Sequence, residues 1–280
     1  MTRYETVDVE GVPISYLVAG EAGRLVLLLH GTYWSRVWRP VLDAFAVAGL
    51  RPVAVDFPGF GRSGGELAVE NASIPRLSNW LLLFLKAIGH SGPVMVAGHD
   101  IGGGVAQHLA MANNVEVPRL ALVNAVMYDS WPVPGVARFR DPTVAAATTP
   151  DDILAARRVS VAKALGRPAS ESEIAEYLDP WRDPRVARSW LALARAADNR
   201  YTMEIVPALL QSSMPKLLVW GEDDPFQTID YAERFLREIP NTRLVRVRSA
   251  GHIPMENDPK AVAGALTEFF TRRREEQGAQ

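Results

Sequence analysis

The sequence predicts an α/β fold: a mostly parallel, doubly wound sheet interrupted once by an inserted helical cap. Three observations predict it. Short unbroken apolar runs, the kind that suit strands covered on both faces, alternate with stretches of helical length. The alternation stops near residue 128, gives way to helical pieces rich in proline and tryptophan, and resumes near residue 214. Several apolar runs end in glycine and polar residues, where open α/β sheets place their ligands.

Residues 6–9 and 14–18 alternate around Gly11 and read as a β-hairpin. The run Leu25-Val26-Leu27-Leu28-Leu29 follows and halts at His30-Gly31. Residues 53–55, 94–97, 120–123, 217–220 and 244–247 repeat this buried type. Helices are expected over about residues 38–48, 73–89, 101–113, 228–238 and 259–275, which makes the crossovers right-handed. Residues 150–165, 171–178 and 184–197 form the helical pieces of the break. Residues 1–127 and 214–280 are therefore expected to form the core, with 128–213 as the cap. A second domain fits less well, because alternation resumes at once after Met214-Pro215-Lys216. The charged stretch from Thr271 to Glu276 reads as a solvated helix end.

Composition narrows the function. The chain has 280 residues, 48% of them hydrophobic and 22% charged, which is enough apolar material for a substantial core. Lys and Arg number 30 against 32 Asp and Glu, so no basic excess is available for nucleic acid. The absence of cysteine removes disulfides, thiolate metal sites and thiol nucleophiles together. No His, Asp and Glu set has metal-ligand spacing, so neither metal nor cofactor is expected. No apolar run is long enough to cross a bilayer and residues 1–5 carry no apolar signal core. The expectation is a cytoplasmic protein with a small, apolar substrate and no membrane or nucleic-acid partner, with a homodimer left open.

Three strand ends carry chemistry. The first, Gly98-His99-Asp100-Ile101-Gly102-Gly103, has the small-x-nucleophile-x-small pattern of a strand-to-helix elbow. Glycines flank Asp100 because side chains there would clash in so sharp a turn, whereas a mere helix cap needs no such bracket. The second end is Trp220-Gly221-Glu222-Asp223-Asp224 and the third is Ala250-Gly251-His252. Of the five histidines, His252 is the best base; His30, His90, His99 and His108 read as structural.

In the order nucleophile, acid, histidine, the chain resembles the α/β-hydrolase superfamily over nearly its whole length. The turn Asp56-Phe57-Pro58-Gly59-Phe60-Gly61-Arg62-Ser63 adds to the likeness. The resemblance implies Asp224 as the acid, with Asp223 as the fallback, and makes His30-Gly31-Thr32 the oxyanion loop. Its oxyanion donors would be the amides of Thr32 and Ile101, with Tyr33 as a replacement for Thr32. An aspartate at the elbow points to the branch of epoxide hydrolases and haloalkane dehalogenases. A carboxylate attacking an acyl group gives an anhydride that reverts, whereas on saturated carbon it gives an ester that water can hydrolyse. Epoxide hydrolysis to a diol is the leading expectation, with haloalkane or haloacid dehalogenation second. A lyase, a cyclase or a non-catalytic relative comes third. Epoxide hydrolases draw their acid from cap tyrosines, here Tyr201, Tyr177 or Tyr128. Trp34, Trp131, Trp181 and Trp190 are candidates to line the pocket. The residue after Asp100 is Ile101 where dehalogenases carry Trp, and Gly102, Gly103 and Gly104 provide no arginine clamp.

Overall fold

A computed structural model of the protein describes residues 1–112 and 115–272. One sheet of eight strands runs through it, in the order β1-β2-β4-β3-β5-β6-β7-β8. β1 (Arg3–Val9) and β2 (Val12–Val18) form the expected hairpin. β3 (Arg24–Leu29), β4 (Leu50–Val55), β5 (Met95–Asp100), β6 (Leu120–Ala125), β7 (Lys216–Gly221) and β8 (Thr242–Val247) are mutually parallel. Only the β1–β2 and β2–β4 pairings are antiparallel.

The helices on the two faces are α1 (Arg39–Val47), α2 (Ile74–Ala87) and α3 (Ile101–Ala112) in the first half. Between β6 and β7 come α4 (Pro134–Ala137), α5 (Pro142–Ala147), α6 (Pro150–Ala164) and α7 (Glu171–Leu178). The same interval holds α8 (Pro184–Arg195), α9 (Arg200–Met203) and α10 (Val206–Gln211). The chain ends with α11 (Ile229–Glu238), α12 (Pro254–Asn257) and α13 (Pro259–Thr271). The expected helical residues 113 and 273–275, and the charged residues up to Glu276, lie outside the described residues. No helix among the described residues is long and apolar enough to cross a membrane.

One expectation needs correction. Residues 244–247 read as a run buried on both faces, yet in β8 only Val247 is buried. The strand pairs with β7 alone and stands at the sheet margin, so its arginines find water.

Local signals set the inserted helices. Thr149 caps α6 and Ser170 caps α7, each in a reciprocal pair with an acidic residue three positions on, Asp152 and Glu173. Asp183 caps α8 by accepting from the Arg185 amide. The short α4, α5, α9 and α10 escaped the sequence reading because helices of four to six residues give no periodicity. The inserted region does not float over the core. Phe139, Ile153, Trp181 and Trp190 belong to the same buried cluster as the sheet. Arg185 also donates to the Ser63 carbonyl at 2.9 Å, and the Leu67 amide donates to Ser189 Oγ at 3.1 Å.

The tightest packing is where α3 leaves the sheet. A Cβ on Gly102 would lie 2.5 Å from the His30 carbonyl oxygen and 2.6 Å from that of Leu29. Gly102→Ala must push α3 away from β3, and overpacking of this kind costs about 1–3 kcal/mol. A urea-unfolding midpoint equal to wild type would show that the helix start has room to spare.

Candidate active site

Asp100 ends β5 with φ of 55°, a left-handed backbone conformation that is unusual for a residue with a side chain. That turn points its carboxylate away from the strand, and neighbouring residues must be small to allow it. A Cβ at Gly31 would meet the Asp100 carboxylate, and one at Gly103 would meet Ala125. Oδ2 of Asp100 accepts from the Thr32 amide at 3.0 Å and from the Thr32 hydroxyl at 3.1 Å. Thr32, not Tyr33, therefore supplies the loop donor. Ile101 opens α3, where the first amides lack partners within the helix.

His252 Nδ1 donates to Asp224 Oδ2 at 2.7 Å, which directs Nε2 toward Asp100 Oδ1 at 3.8 Å. That second separation is an ion-pair distance, too long for a hydrogen bond. Asp224 is buried and Asp223 is exposed, so the turn presents the second aspartate and leaves the first in solvent. Three other contacts complete the Asp224 carboxylate. Its Oδ1 accepts from the Phe226 and Gln227 amides at 2.7 and 3.1 Å. Its Oδ2 accepts from Asn124 Nδ2 at 2.7 Å, and Asn124 Oδ1 in turn takes the Gly221 amide at 2.8 Å.

Charge follows from this geometry. Burial alone would strip the proton from His252, but the adjacent Asp224 and Asp100 carboxylates outweigh it and push its pKa up to about 10. Burial works against ionised Asp100 too, yet the His252 cation holds its carboxyl below the usual carboxylate range. His99, directly behind, has its pKa lowered by burial to about 4 and stays neutral. Its Nε2 donates to the His252 carbonyl at 2.7 Å, so it braces His252 from the rear. His30 is likewise buried and neutral, donating from Nδ1 to the Gly31 carbonyl and accepting the Phe57 amide at Nε2. Among the described residues no group of three His, Cys, Asp or Glu could hold a metal ion.

A cavity of about 200 Å³ lies over Asp100, between the sheet and the inserted helices. Thr32, Tyr33, Asp100 and His252 form its floor, and Trp131, Phe139, Ile153 and Trp190 supply apolar walls. The three tyrosines expected as acids are not among its lining residues. Tyr177 is buried beneath Arg36 and donates to Glu256 Oε1 at 2.8 Å. Tyr128 packs edge-on against Phe235 with Arg234 over its ring. Tyr201 borders a separate small void beside Ile101 and Trp131. Trp34 stacks on Tyr4, also outside the cavity. Position on a helix does not by itself tell where a ring points.

Two residues went unremarked in the sequence. Asn124 interrupts the apolar β6, and a polar residue inside a buried run was its signal. Arg157 lies on the inward face of α6 with Ile153 and Val161, four residues apart in each direction. It is 7% exposed, and its Nη2 donates to Thr32 Oγ1 at 3.2 Å. The guanidinium carbon sits 5.0, 5.2 and 5.8 Å from the ring centres of Tyr33, Trp181 and Trp190. Such contacts give about 0.5–2 kcal/mol each, which only partly offsets the cost of burying a cation.

Sheet, elbow and buried histidine–aspartate pair together define a hydrolase of the α/β class. The family model described as the alpha/beta hydrolase family matches residues 26–265, and the chain belongs to that family. The chain is 25% identical to the AB hydrolase superfamily protein YfhM of Bacillus subtilis (strain 168), over 96% of this chain and 98% of that one. It is 25% identical to epoxide hydrolase 4 of Mus musculus, over 96% of this chain and 80% of the relative. The solved structure of haloalkane dehalogenase DbeA from Bradyrhizobium elkani USDA94 is similar in fold. Its TM-score is 0.83 at 23% identity, with coverage of 96% of this chain and 97% of that one.

The charge arrangement makes a direct prediction. Asp100→Asn removes one of the two carboxylates that hold the proton on His252, so the imidazole pKa falls from about 10 toward its ordinary value. NMR titration of the His252 ring reads this, and an unmoved midpoint would mean that Asp224 alone sets it.

Proposed function

We propose that the protein hydrolyses a bond from saturated carbon to a heteroatom through a covalent ester on Asp100, with epoxides as the leading substrate class. One observation carries this reading. The residue at the elbow is a carboxylate, with one oxygen tied to the Thr32 amide and the other facing a histidine–aspartate pair. The likeness to an epoxide hydrolase over 96% of this chain supports the choice of substrate.

In the first step Asp100 attacks the epoxide carbon, the C–O bond breaks, and its electron pair passes to the epoxide oxygen. The alkoxide needs a proton, and Tyr33 is the tyrosine that lines the cavity. Burial raises its phenol pKa and Arg157 opposes that rise, but an alkoxide is a stronger base still. Alkylation also neutralises Asp100 and so loosens the proton on His252. That proton restores Tyr33, whose ring centre lies 5.9 Å from that of His252. Neutral His252 then takes a proton from water, which attacks Cγ of Asp100. Negative charge develops on Oδ2, where the Thr32 amide already sits at 3.0 Å, and the Ile101 amide at the start of α3 is the second donor in this proposal. Collapse releases the diol and returns both the carboxylate and the His252 cation, so every proton is accounted for.

Carbon–halogen cleavage is the second reading, on one specific observation. The indole N–H of Trp190 is buried without a partner, and this residue lines the cavity. A halide accepts such a donor and needs no proton.

His252→Gln should stop the cycle after alkylation, leaving the substrate's mass on the Asp100 peptide. An unmodified peptide after exposure to a turned-over substrate contradicts the covalent route. Tyr33→Phe should slow alkylation by an epoxide about 10²- to 10⁴-fold and leave alkylation by a haloalkane nearly unchanged. Rapid-quench measurement of ester formation with both substrates checks this, and equal slowing of the two would remove Tyr33 as the acid.

A further inference from the structure

The structure assigns Arg157 a role that the covalent chemistry does not use: we propose that it anchors a carboxylate on the substrate. The substrate is then a short acid whose saturated electrophilic carbon meets Asp100 while its carboxylate rests on the guanidinium. This rests on the covalent reading above and names the substrate class for it.

The side chain is built into place. The Thr149–Asp152 capping box fixes where α6 begins, and Arg157 then falls on the face that buries Ile153, Val161 and Ala164. A cation on that stripe occupies a position that an apolar residue would fill at no desolvation cost. No salt bridge among the described residues holds it. Among the described residues no carboxylate lies within ion-pair distance of Arg157, and its Nε is buried without a partner. Asp152 also lines the cavity, but its carboxylate is taken by the Thr149 amide and hydroxyl. Arg157 reaches two neutral hydroxyls instead, those of Tyr33 and Thr32, and the Thr32 hydroxyl donates onward to Asp100 Oδ2. The guanidinium therefore stands one hydroxyl away from the reacting carboxylate, at the wall of the cavity.

Its chemistry selects the ligand. A guanidinium is planar and permanently charged, with donors spaced to match a carboxylate, and aromatic faces around it exclude competing water. The unpartnered indole N–H of Trp190, whose ring centre is 5.8 Å from the guanidinium carbon, adds a second donor with no acceptor. A substrate carboxylate can enter so small a chamber beside Asp100 only if a further cation meets it. His252 is already shared between Asp100 and Asp224, so the incoming carboxylate depends on Arg157. The sheet-side clamp that the glycine-rich start of α3 lacks is thus supplied from the inserted helices.

The test uses matched substrates, a short epoxy or halo acid and its uncharged primary amide, in wild type, Arg157→Met and Arg157→Lys. The ratio of kcat/KM for acid over amide is internal to each protein and is independent of the folded fraction. Wild type should favour the acid about ten- to hundredfold. The preference should vanish in Arg157→Met, mostly through KM, and return in part in Arg157→Lys. A wild type indifferent to the charge, or a preference that survives Arg157→Met, overturns the proposal. A second measurement needs no turnover: titration of tryptophan fluorescence with propanoate and, at equal ionic strength, with bromide. Saturable quenching by propanoate that Arg157→Met abolishes supports the anchor even if no substrate alkylates Asp100. A response to bromide alone, or to neither anion, overturns it and leaves the covalent reading standing on the Asp100 peptide mass.

Discussion

The whole site depends on the backbone of Asp100 being held at positive φ where β5 becomes α3. A residue with a side chain in that conformation costs on the order of 1–3 kcal/mol, and the surroundings must hold it there. They do so by near-contact. The start of α3 presses on the end of β3 through Gly102, Gly103 rests on β6, and Gly31 gives way to the carboxylate. Because the Gly102 contact is with backbone, the start of α3 cannot shift easily and the carboxylate is held by the Thr32 amide. The same device recurs one strand over, where Asn124 has φ of 40° and delivers its amide to Asp224. Two strained strand ends thus aim the two carboxylates at one imidazole.

Electrostatics follows from this arrangement. His252 lies between carboxylates at 2.7 and 3.8 Å, all three buried, so its proton stays until one negative charge is removed. Forming an ester on Asp100 is such a removal. Under the proposed chemistry the base is therefore switched on by the product of the first step and not before. Neutral His99 behind it holds the ring in place without adding a second cation.

Fold and site were legible to different depths. The interior strands were readable because strands covered on both faces must be apolar throughout, and β8 misled because Leu244 and Val245 look the same at a margin as in the middle. The elbow was readable because its glycines have a steric cause. The choice between Asp223 and Asp224 was open in the sequence, since adjacent aspartates differ only in which one the turn buries. The tyrosines failed for a general reason: composition locates a ring on a helix, whereas its neighbours decide where it points. Arg157 was visible in principle, as a charge on the apolar stripe of α6. The extent of a helix says nothing of the face each residue occupies, and only the face marks Arg157.

The margins of the sheet have a consequence of their own. β1 and β8 are the strands with a free hydrogen-bonding side, and both are studded with charge: Arg3, Glu5 and Asp8 on one, Arg243 and Arg246 on the other. On β8 these arginines are engaged by Glu268, Glu222 and Glu233. A neighbouring chain that tried to lengthen the sheet would have to displace paired ions and desolvate them, with little apolar surface in return. The borders of this molecule thus act as a guard against uncontrolled self-assembly.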